Sequence, residues 1–370
     1  MKGLLKYLSP FAPDQSGAVS ALYTYGGIIV ICDAGGCTGN ICGFDEPRWF
    51  ESKSAVFSAG LRDMDAILGR DDRLVEKLRL AADQIGGKFA AIIGTPVPAV
   101  IATDYRALVR MAEKKCDMPV LAVECTGTRL YDEGAGEAYL NLFKKILGLQ
   151  AKEAAEESVK KVSDIESAPA VGILGLIPMD VGRLTVKDEL ESHYRAKGYE
   201  KVYCYGMGDG LDAVAHAGEV DKNVVVAPAA LPLARFLEKE YGIPYETEYP
   251  FPEDADRIAE EFSCIEQSPD KEKSFDKVLI IHQQVAANEI RRKLRQSDPD
   301  LQIICGSFFL MDDELKEEGD LHFEREDEFI DYVLQEGFDT VIGDAMFKRA
   351  LRDFKGKYIT FDHGAVSGVN

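Results

Sequence analysis

The stretch IIVICDAGGCTGNIC, residues 28–42, decides the class of fold that we predict for this chain. It opens with a run of β-branched residues, which is the composition of a buried strand, and passes into a loop rich in glycine and cysteine. Glycine lets the backbone take a positive φ and approach a ligand closely. We therefore predict a strand over Ile28–Cys32 that carries a functional loop at its carboxyl end.

Short apolar runs of this kind alternate with amphipathic stretches along the whole chain. This alternation is typical of βαβ units and parallel sheets. We predict an α/β protein with three Rossmann-like domains, over residues 1–165, 166–273 and 274–370, whose parallel sheets surround a central cleft. The charged stretch 151–170 is interpreted as a solvated helix or linker that closes the first domain. The polar, acidic segment Phe251–Lys273 ends the second.

The predicted elements follow from the period of the apolar residues. Besides the first strand, strands are predicted at Phe89–Ile93, Val120–Glu124, Val171–Ile177, Lys201–Tyr205, Asn223–Ala227, Lys277–Ile281, Leu301–Cys305, Thr340–Ile342 and Tyr358–Phe361. Helices are predicted at Asp71–Ile85, Tyr105–Lys115, Glu189–Lys197, Leu211–Ala217, Leu231–Tyr241, Val285–Gln296, Asp327–Gln335 and Ala345–Asp353.

The composition excludes several classes of function. The 370 residues include 43 Lys and Arg against 64 Asp and Glu, a net charge of −21. Phosphate backbones and anionic membranes are held mainly by basic side chains, so we expect neither a nucleic acid nor a membrane partner. No apolar run is long enough for a transmembrane helix, and residues 1–18 do not resemble a signal peptide. We expect a cytoplasmic protein.

Three of the eight cysteines, Cys32, Cys37 and Cys42, lie within eleven residues. In a reducing compartment such a cluster favours metal binding or catalysis over a disulfide, although a glycine turn with buried structural cysteines fits the spacing equally well. A loop that opens a helix presents free N–H groups, which favour anions and lower the pKa of a thiol. Cys125 ends another predicted strand and becomes a candidate if that strand lies beside the strand of Cys32.

Two further groups of residues could carry chemistry. Asp362 and His363 follow the last predicted strand in a loop of small residues, where a histidine could transfer protons or simply hydrogen-bond the loop. Arg48 stands beside the only tryptophan, Trp49, and this pair could clamp an anionic group or cap the structure. The chain has no P-loop motif, so it should not hydrolyse ATP by that route. The run GMGDG, residues 206–210, is only part of a dinucleotide fingerprint.

Four stretches in this order resemble the nitrogenase component 1 superfamily, which includes nitrogenase subunits, protochlorophyllide and chlorophyllide reductases and a reductase of nickel-tetrapyrrole biosynthesis. The stretches are CDAGGC (32–37), VLAVECTG (120–127), NVVVAPAALPLARFLEKEYGIPYE (223–246) and DTVIGDAMFKRAL (339–351) with FDHGAVSG (361–368). The resemblance implies three Rossmann-like domains around a cleft and a dimer with an iron–sulfur cluster near the subunit interface. It also implies a separate P-loop ATPase with its own 4Fe–4S cluster as electron donor.

The chain departs from the family pattern at several ligand positions. The family cysteines expected near residues 8–14 and 94–97 are missing, and Cys32 replaces the histidine of the glycine loop. The position expected for the nitrogenase cofactor's cysteine falls near Val226, and His363 does not match the cofactor's histidine. We therefore expect no iron–molybdenum-type cofactor and no nitrogen fixation.

The remaining thiols allow two arrangements for an iron–sulfur cluster, for which a 4Fe–4S cluster is the first choice. Cys37 and Cys42 from each subunit of a homodimer would supply four thiolates. Alternatively, Cys37, Cys42 and Cys125 bind a cluster within one chain, with Asp14 or a partner residue as the fourth ligand.

The cluster would be contacted by Gly35, Gly36 and Thr38. The leading hypothesis is an oxidoreductase component that passes electrons from the ATPase partner to a small-molecule substrate in the cleft. Arg48, Trp49 and Arg129 would bind the substrate, and His363 or Asp362 would donate a proton. Two alternatives stay open, namely a non-enzymatic scaffold or carrier for a metal cluster or tetrapyrrole-like precursor, and a metal-free protein that binds an anionic small molecule near Arg48 and Arg129.

Overall fold

The computed structural model describes residues 5–51, 53–156, 168–266 and 277–368. Its strands form three sheets of four, four and five strands, and all of the strand pairings are parallel. The predicted α/β class with three parallel sheets is confirmed. The strands are β1 Ile28–Ile31, β2 Ala55–Ser58, β3 Ala90–Ile93, β4 Val120–Val123, β5 Ala170–Leu174, β6 Lys201–Cys204, β7 Lys222–Val225, β8 Tyr245–Thr247, β9 Lys277–Ile281, β10 Gln302–Ser307, β11 Leu321–His322, β12 Thr340–Gly343 and β13 Lys357–Thr360.

Helices connect these strands, and most of the predicted helices begin and end within a few residues of the observed bounds. Helix α2 carries Cys37 and runs directly into a π-helical turn, Ile41–Asp45, which carries Cys42. The helices are α1 Asp14–Leu22, α2 Gly36–Asn40, α3 Asp63–Leu68, α4 Asp71–Ile85, α5 Pro96–Val100, α6 Tyr105–Cys116, α7 Tyr131–Glu156, α8 Pro178–Val181, α9 Lys187–Ala196, α10 Leu211–Val214, α11 Leu231–Tyr241, α12 Pro252–Glu266, α13 Gln284–Ser297, α14 Glu326–Glu336, α15 Ala345–Ala350 and α16 Gly364–Ser367.

The strand orders of the three sheets are β2-β1-β3-β4, β6-β5-β7-β8 and β11-β10-β9-β12-β13. Because all strands of a sheet are parallel, the loops after β1, β2, β3 and β4 leave the same edge of the first sheet. Both faces of that sheet are covered, since Ile29 and Ile31 belong to one apolar cluster and Ile28 and Val30 to another. Double burial explains why β1 is a continuous apolar run rather than an alternating one.

Helix α7 connects the first sheet to the second. It packs against α1 and β4 on one side and against α11 on the other. Its close approach to α1 requires glycine, because a Cβ on Gly17 would overlap the carbonyl oxygen of Tyr131 and one on Gly134 would overlap that of Asp14. Helix α1 was not predicted because all nine of its residues are buried, so it lacks the polar face that marks an amphipathic helix.

The predictions on domain organisation can be compared with the structure only where residues are described. Both predicted domain boundaries, after residues 165 and 273, lie outside the described residues and stay predictions. Each predicted domain contains one of the three sheets. The predicted linker 151–170 is helical up to Glu156 as the end of α7, and its next eleven residues are not described. The acidic segment Phe251–Lys273 contains α12, which buries Ile258 and Phe262. Within the described ranges, no helix has the length and apolar character to cross a bilayer.

The α1–α7 contact predicts opposite effects for two identical substitutions in α7. Gly134→Ala should destabilise the protein by about 1–3 kcal/mol, because the added methyl group meets the backbone of α1. Gly148→Ala lies in the same helix, where a Cβ meets nothing within 4 Å, and should stabilise it by up to about 1 kcal/mol through helix propensity. Urea unfolding of both variants checks this, and equal effects of the two would contradict the packing.

Candidate functional site

Cys37 and Cys42 lie on one short helical segment after β1. Cys37 is in α2 and Cys42 in the π-helical turn that follows, and both are half-buried free thiols. Gly35, with φ of 120°, starts the segment in a conformation that an L-residue rarely adopts. Neither Gly35 nor Gly36 has another part of the chain within 4 Å of a Cβ position, so this side of the loop is open. The predicted contact residues Gly35 and Gly36 are thus accessible to a ligand.

Asp33 anchors this thiol-bearing segment. Its carboxylate is 1% exposed and accepts hydrogen bonds from the Thr38 N–H at 2.8 Å, the Thr38 hydroxyl at 2.9 Å and the Ser58 hydroxyl at 2.5 Å. Asp33 therefore occupies the N-terminal end of α2, where we had expected an anionic ligand. Thr38, predicted to contact a cofactor, is instead bonded to Asp33.

The environment of the thiols raises their pKa values rather than lowering them. Burial raises the pKa of Cys37 and of Cys42, and the negative charge of Asp33 raises both further. Cys32 is buried and its pKa rises to about 12 from the same two causes. The expectation of a helix N-terminus that activates a thiolate is wrong because Asp33 already fills that position. Binding of a metal would have to displace protons from these thiols.

Cys125 does not join the other two thiols in an open site. Its strand, β4, is separated from β1 by β3, so the condition for including it is not met. Cys125 is 1% exposed, and burial raises its pKa well above the ordinary value. The Asp14 carboxylate accepts hydrogen bonds from the N–H groups of Thr126 and Gly127 and from Arg129 Nε, which leaves no open ligand position. In the described part of the chain, no three His, Cys, Asp or Glu side chains are grouped as a metal site.

Exposed apolar side chains occupy the same edge of the first sheet as the thiols. They lie in the connections that leave β1, β2 and β3, and Phe44 is 83% and Val100 85% exposed. Large apolar side chains exposed in neighbouring loops are a candidate interaction surface. We call these residues the apolar rim: Phe44, Phe50, Met64, Ile67, Leu68, Val97, Val100 and Ile101.

Arg48 is a structural residue and not an open substrate ligand, which corrects the sequence prediction. It is 1% exposed and forms an ion pair with Glu46 at 2.7 Å. Its guanidinium also donates to the carbonyl oxygens of Ser20 and Gly206, so it ties the first domain to the loop after β6. That loop is the GMGDG run, whose first glycine thus serves domain packing. Trp49 is half-buried and packs edge-to-face on Tyr23, 5.1 Å between ring centroids.

A cleft of 880 Å³ lies between the parts of the chain that carry the first and third sheets. Arg129 lines it, is one-third exposed and is already paired with Asp14 and Glu137, both at 3.1 Å. Asp132 also lines the cleft, and sequence reasoning missed it. Burial raises the pKa of Asp132 to about 7, although the N–H groups of Leu310 and Glu133 donate to it. The feature of the sequence that could have identified Asp132 was its position near the start of the helix that follows β4.

His363 belongs to a buried network where the three domains meet. Its Nε2 is 3.1 Å from the Tyr131 hydroxyl, which donates to Asp180 Oδ1 at 2.7 Å. Phe309 lines the cleft and packs edge-to-face on His363. His363 is fully buried, and burial lowers its pKa to about 4. It is therefore a neutral interdomain residue without access to solvent.

Asp362 does not act beside His363, although the two are adjacent in sequence. It is exposed and lines a different cleft, of 350 Å³, between the second and third domains. Its backbone carbonyl accepts a hydrogen bond from His282 Nε2 at 3.1 Å. The two predicted proton donors therefore have different surroundings: Asp362 lies in an exposed cleft and His363 is fully buried.

The buried network predicts a specific pH dependence of stability. Burial raises the pKa of Asp180 from 3.8 to about 7, so its stabilising contribution is complete at low pH and is lost as the pH rises toward 7. Asp180→Asn removes this titration and should gain stability relative to the parent protein across that interval, by at most about 1.4 kcal/mol per pH unit. Thermal unfolding between pH 4 and pH 8 measures the difference, and the exposed Asp188→Asn is the matched control. A flat difference for Asp180→Asn would contradict a buried neutral carboxyl group.

Comparisons with known proteins show the family of this chain. Residues 15–296 match the family Nitrogenase component 1 type Oxidoreductase. The nitrogenase iron-molybdenum cofactor biosynthesis protein NifE of Clostridium pasteurianum is 25% identical over 195 residues, which cover 51% of this chain and 38% of that protein. The chain therefore matches well under half of the length of this curated relative.

Solved structures share the fold over almost the whole chain. The structure "Nitrogenase Cp1 at pH 6.5" superposes with a TM-score of 0.62 and 11% identity, covering 98% of this chain and 87% of that one. "Nitrogenase Cp1 at pH 5" gives a TM-score of 0.61 and 12% identity, with 98% and 85% coverage. The family match extends over more than half of the chain, so the predicted resemblance is confirmed: the chain belongs to the nitrogenase component 1 type oxidoreductase family.

Proposed function

We propose that this protein holds an iron–sulfur cluster, of the 4Fe–4S type, between two copies of the chain. Cys37 and Cys42 of each copy would supply the four thiolates. The observation that carries this proposal is that both thiols are half-buried on one segment whose glycine side is open. At this edge of the first sheet, the described part of one chain offers only this pair, since Cys32 and Cys125 are buried in the core. Thiolates are the ligands that iron–sulfur clusters require.

The apolar rim supports a second copy as the partner on this face. A two-fold axis through the thiol segment would bring the same surface of both chains together, as in most homodimers. The chain carries a net charge of −21, which opposes the association of two copies, so an interface needs apolar area to offset that repulsion. The apolar rim supplies such area in the loops at the same edge of the first sheet as Cys37 and Cys42.

The first proposed role is that of a nitrogenase-like oxidoreductase component. A bound cluster would supply single low-potential electrons, which no side chain can provide. The electron donor would be a separate P-loop ATPase with its own iron–sulfur cluster, in keeping with the absence of a P-loop motif here. The substrate would bind in the 880 Å³ cleft, where Arg129 is paired with two carboxylates. Asp132, rather than His363 or Asp362, faces that cleft with a pKa suited to proton donation.

A second role, that of a scaffold on which a metal cluster is assembled and then released, is favoured by the similarity to a cofactor biosynthesis protein. Both roles need the thiol pair, but they differ in what happens to the iron. Electron transfer leaves the iron on this protein through many cycles with an ATPase partner. A scaffold loses its iron and sulfide together to an acceptor apoprotein, and transfer of iron-55 label between the two proteins distinguishes these roles.

Iron analysis of cysteine variants tests the ligand assignment. Protein purified without oxygen should be brown, absorb broadly near about 400 nm and contain roughly two irons and two sulfides per chain. Cys37→Ala and Cys42→Ala should each lose most of the iron, because one lost thiolate per chain removes two ligands from the shared cluster. Cys125→Ala and the core variant Cys204→Ala should keep it.

The opposite pattern overturns the assignment. Iron lost by Cys125→Ala as well as by Cys37→Ala and Cys42→Ala would favour the alternative in which one chain holds the cluster. Iron retained by Cys37→Ala would remove Cys37 from the ligands. Colourless wild-type protein without iron would favour the metal-free alternative, in which the cleft near Arg129 binds an anionic small molecule. Circular dichroism of each variant controls for loss of fold.

The apolar rim makes a separate prediction about assembly. Val100→Asp should convert the dimer to monomer, since it places a charge in a surface that both copies must bury. Leu334→Asp, on the exposed side of α14 in the third domain, should leave the dimer intact. Sedimentation velocity gives both results, and a dimer that tolerates Val100→Asp while Leu334→Asp breaks it would move the interface away from the thiols.

A further inference from the structure

We propose that Asp33 is a positioning residue whose buried negative charge lowers the reduction potential of the cluster held by Cys37 and Cys42. This inference rests on the proposed function and extends it. Neither the family resemblance nor the composition pointed to Asp33. The residue is identified by the hydrogen bonds that its carboxylate accepts beside Cys37.

The position of Asp33 fixes its charge beside the ligands. It follows Cys32 directly at the carboxyl end of β1, and its carboxylate reaches forward to the N–H of Thr38, the residue after Cys37. A second bond, from the hydroxyl of Ser58, holds the same carboxylate to the end of β2. The side chain therefore has one orientation, under the first turn of α2.

The charge of Asp33 is held away from water, and no Lys or Arg of the described ranges pairs with it. The donors to its carboxylate are an amide and two hydroxyl groups, all of them neutral. These groups satisfy the lone pairs but leave the net charge in place. Because Asp33 is 1% exposed, water screens this charge poorly, and it acts on nearby groups more strongly than a surface carboxylate does.

This charge lies beside the proposed ligands, because the carboxylate accepts from the Thr38 N–H, one residue after Cys37, at 2.8 Å. A fixed negative charge opposes the addition of further negative charge close to it. Loss of a thiol proton and gain of an electron by a bound cluster are two such additions. A cluster beside Asp33 is consequently harder to reduce and, once reduced, a stronger reductant.

Asp33→Asn separates this electrostatic role from simple capping of α2. The amide oxygen can still accept from the Thr38 N–H, and the hydroxyl groups of Thr38 and Ser58 can rotate to accept from the amide nitrogen. Ser58→Ala is the structural control, because it removes one of these bonds and keeps the charge. Asp45→Asn is the charge control, because Asp45 lies three residues after Cys42 but bonds to Ser16 and Asn40.

The decisive experiment is a redox titration of iron-loaded protein, followed by electron paramagnetic resonance. The midpoint potential of Asp33→Asn should move in the positive direction, and those of Ser58→Ala and Asp45→Asn should stay near the wild-type value. An unchanged potential in Asp33→Asn with full iron content overturns the proposal. So does an equal shift in Ser58→Ala, which would show that the geometry of the loop, and not the charge, sets the potential.

A second readout uses the iron-free, reduced protein. Alkylation of Cys37 and Cys42 by iodoacetamide, measured peptide by peptide against pH, should have a lower midpoint in Asp33→Asn, with about tenfold more thiolate for each pKa unit. The exposed Cys264 serves as an internal reference in the same sample. If no variant binds iron, the proposed function and the claim on the potential fail together, and the alkylation result then shows whether the charge of Asp33 acts on the thiols. A midpoint identical to wild type shows that it does not.

Discussion

The close packing of α1 against α7 is the constraint on which the arrangement of the domains depends. Gly17 and Gly134 allow the two backbones to touch, and α7 then reaches from β4 of the first sheet to α11 of the second. At the first residue of α7, Tyr131 bonds to Asp180 of the second domain and lies beside His363 of the third. One helix thus brings all three domains into contact, and the clefts between them follow from its position.

The same helix pair leaves the thiol segment on the outside. The Asp14 carboxylate, at the start of α1, accepts hydrogen bonds from the loop after β4. Cys125 lies in this loop and is buried, so it is not available as a ligand beside Cys37 and Cys42. Cys37 and Cys42 remain half-buried at the edge of the sheet where the residues of the apolar rim also lie. Under the proposed function, a site with two donors per chain would be incomplete alone, so metal binding and the assembly of two copies would be coupled. Burial and the charge of Asp33 both raise the pKa of these thiols, so a bound metal would have to displace their protons.

The sequence was sufficient for the class of fold and for most of its elements because local patterns carry them, but not for the buried helix α1. The apolar run of β1, the helical period of α4 and the glycines that follow both elements predicted their bounds within a residue or two. Side-chain roles were harder to predict because they depend on distant partners. Arg48 looked available for an anion until Glu46 and the carbonyl of Gly206 were seen beside it. His363 ends a strand, yet Tyr131, 232 positions away, determines that it is buried. The thiol pKa values are raised first by burial and then by Asp33, whose carboxylate is held by Ser58 of the next strand.

The central claim is that two copies of this chain share one cluster through Cys37 and Cys42. Native mass spectrometry of protein kept free of oxygen tests it most directly, because it counts chains and metal ions in the same particle. Two chains with a single 4Fe–4S cluster, falling apart into iron-free single chains when the cluster is removed, is the predicted result. Single chains that each carry a complete cluster, or two chains with none, would contradict it.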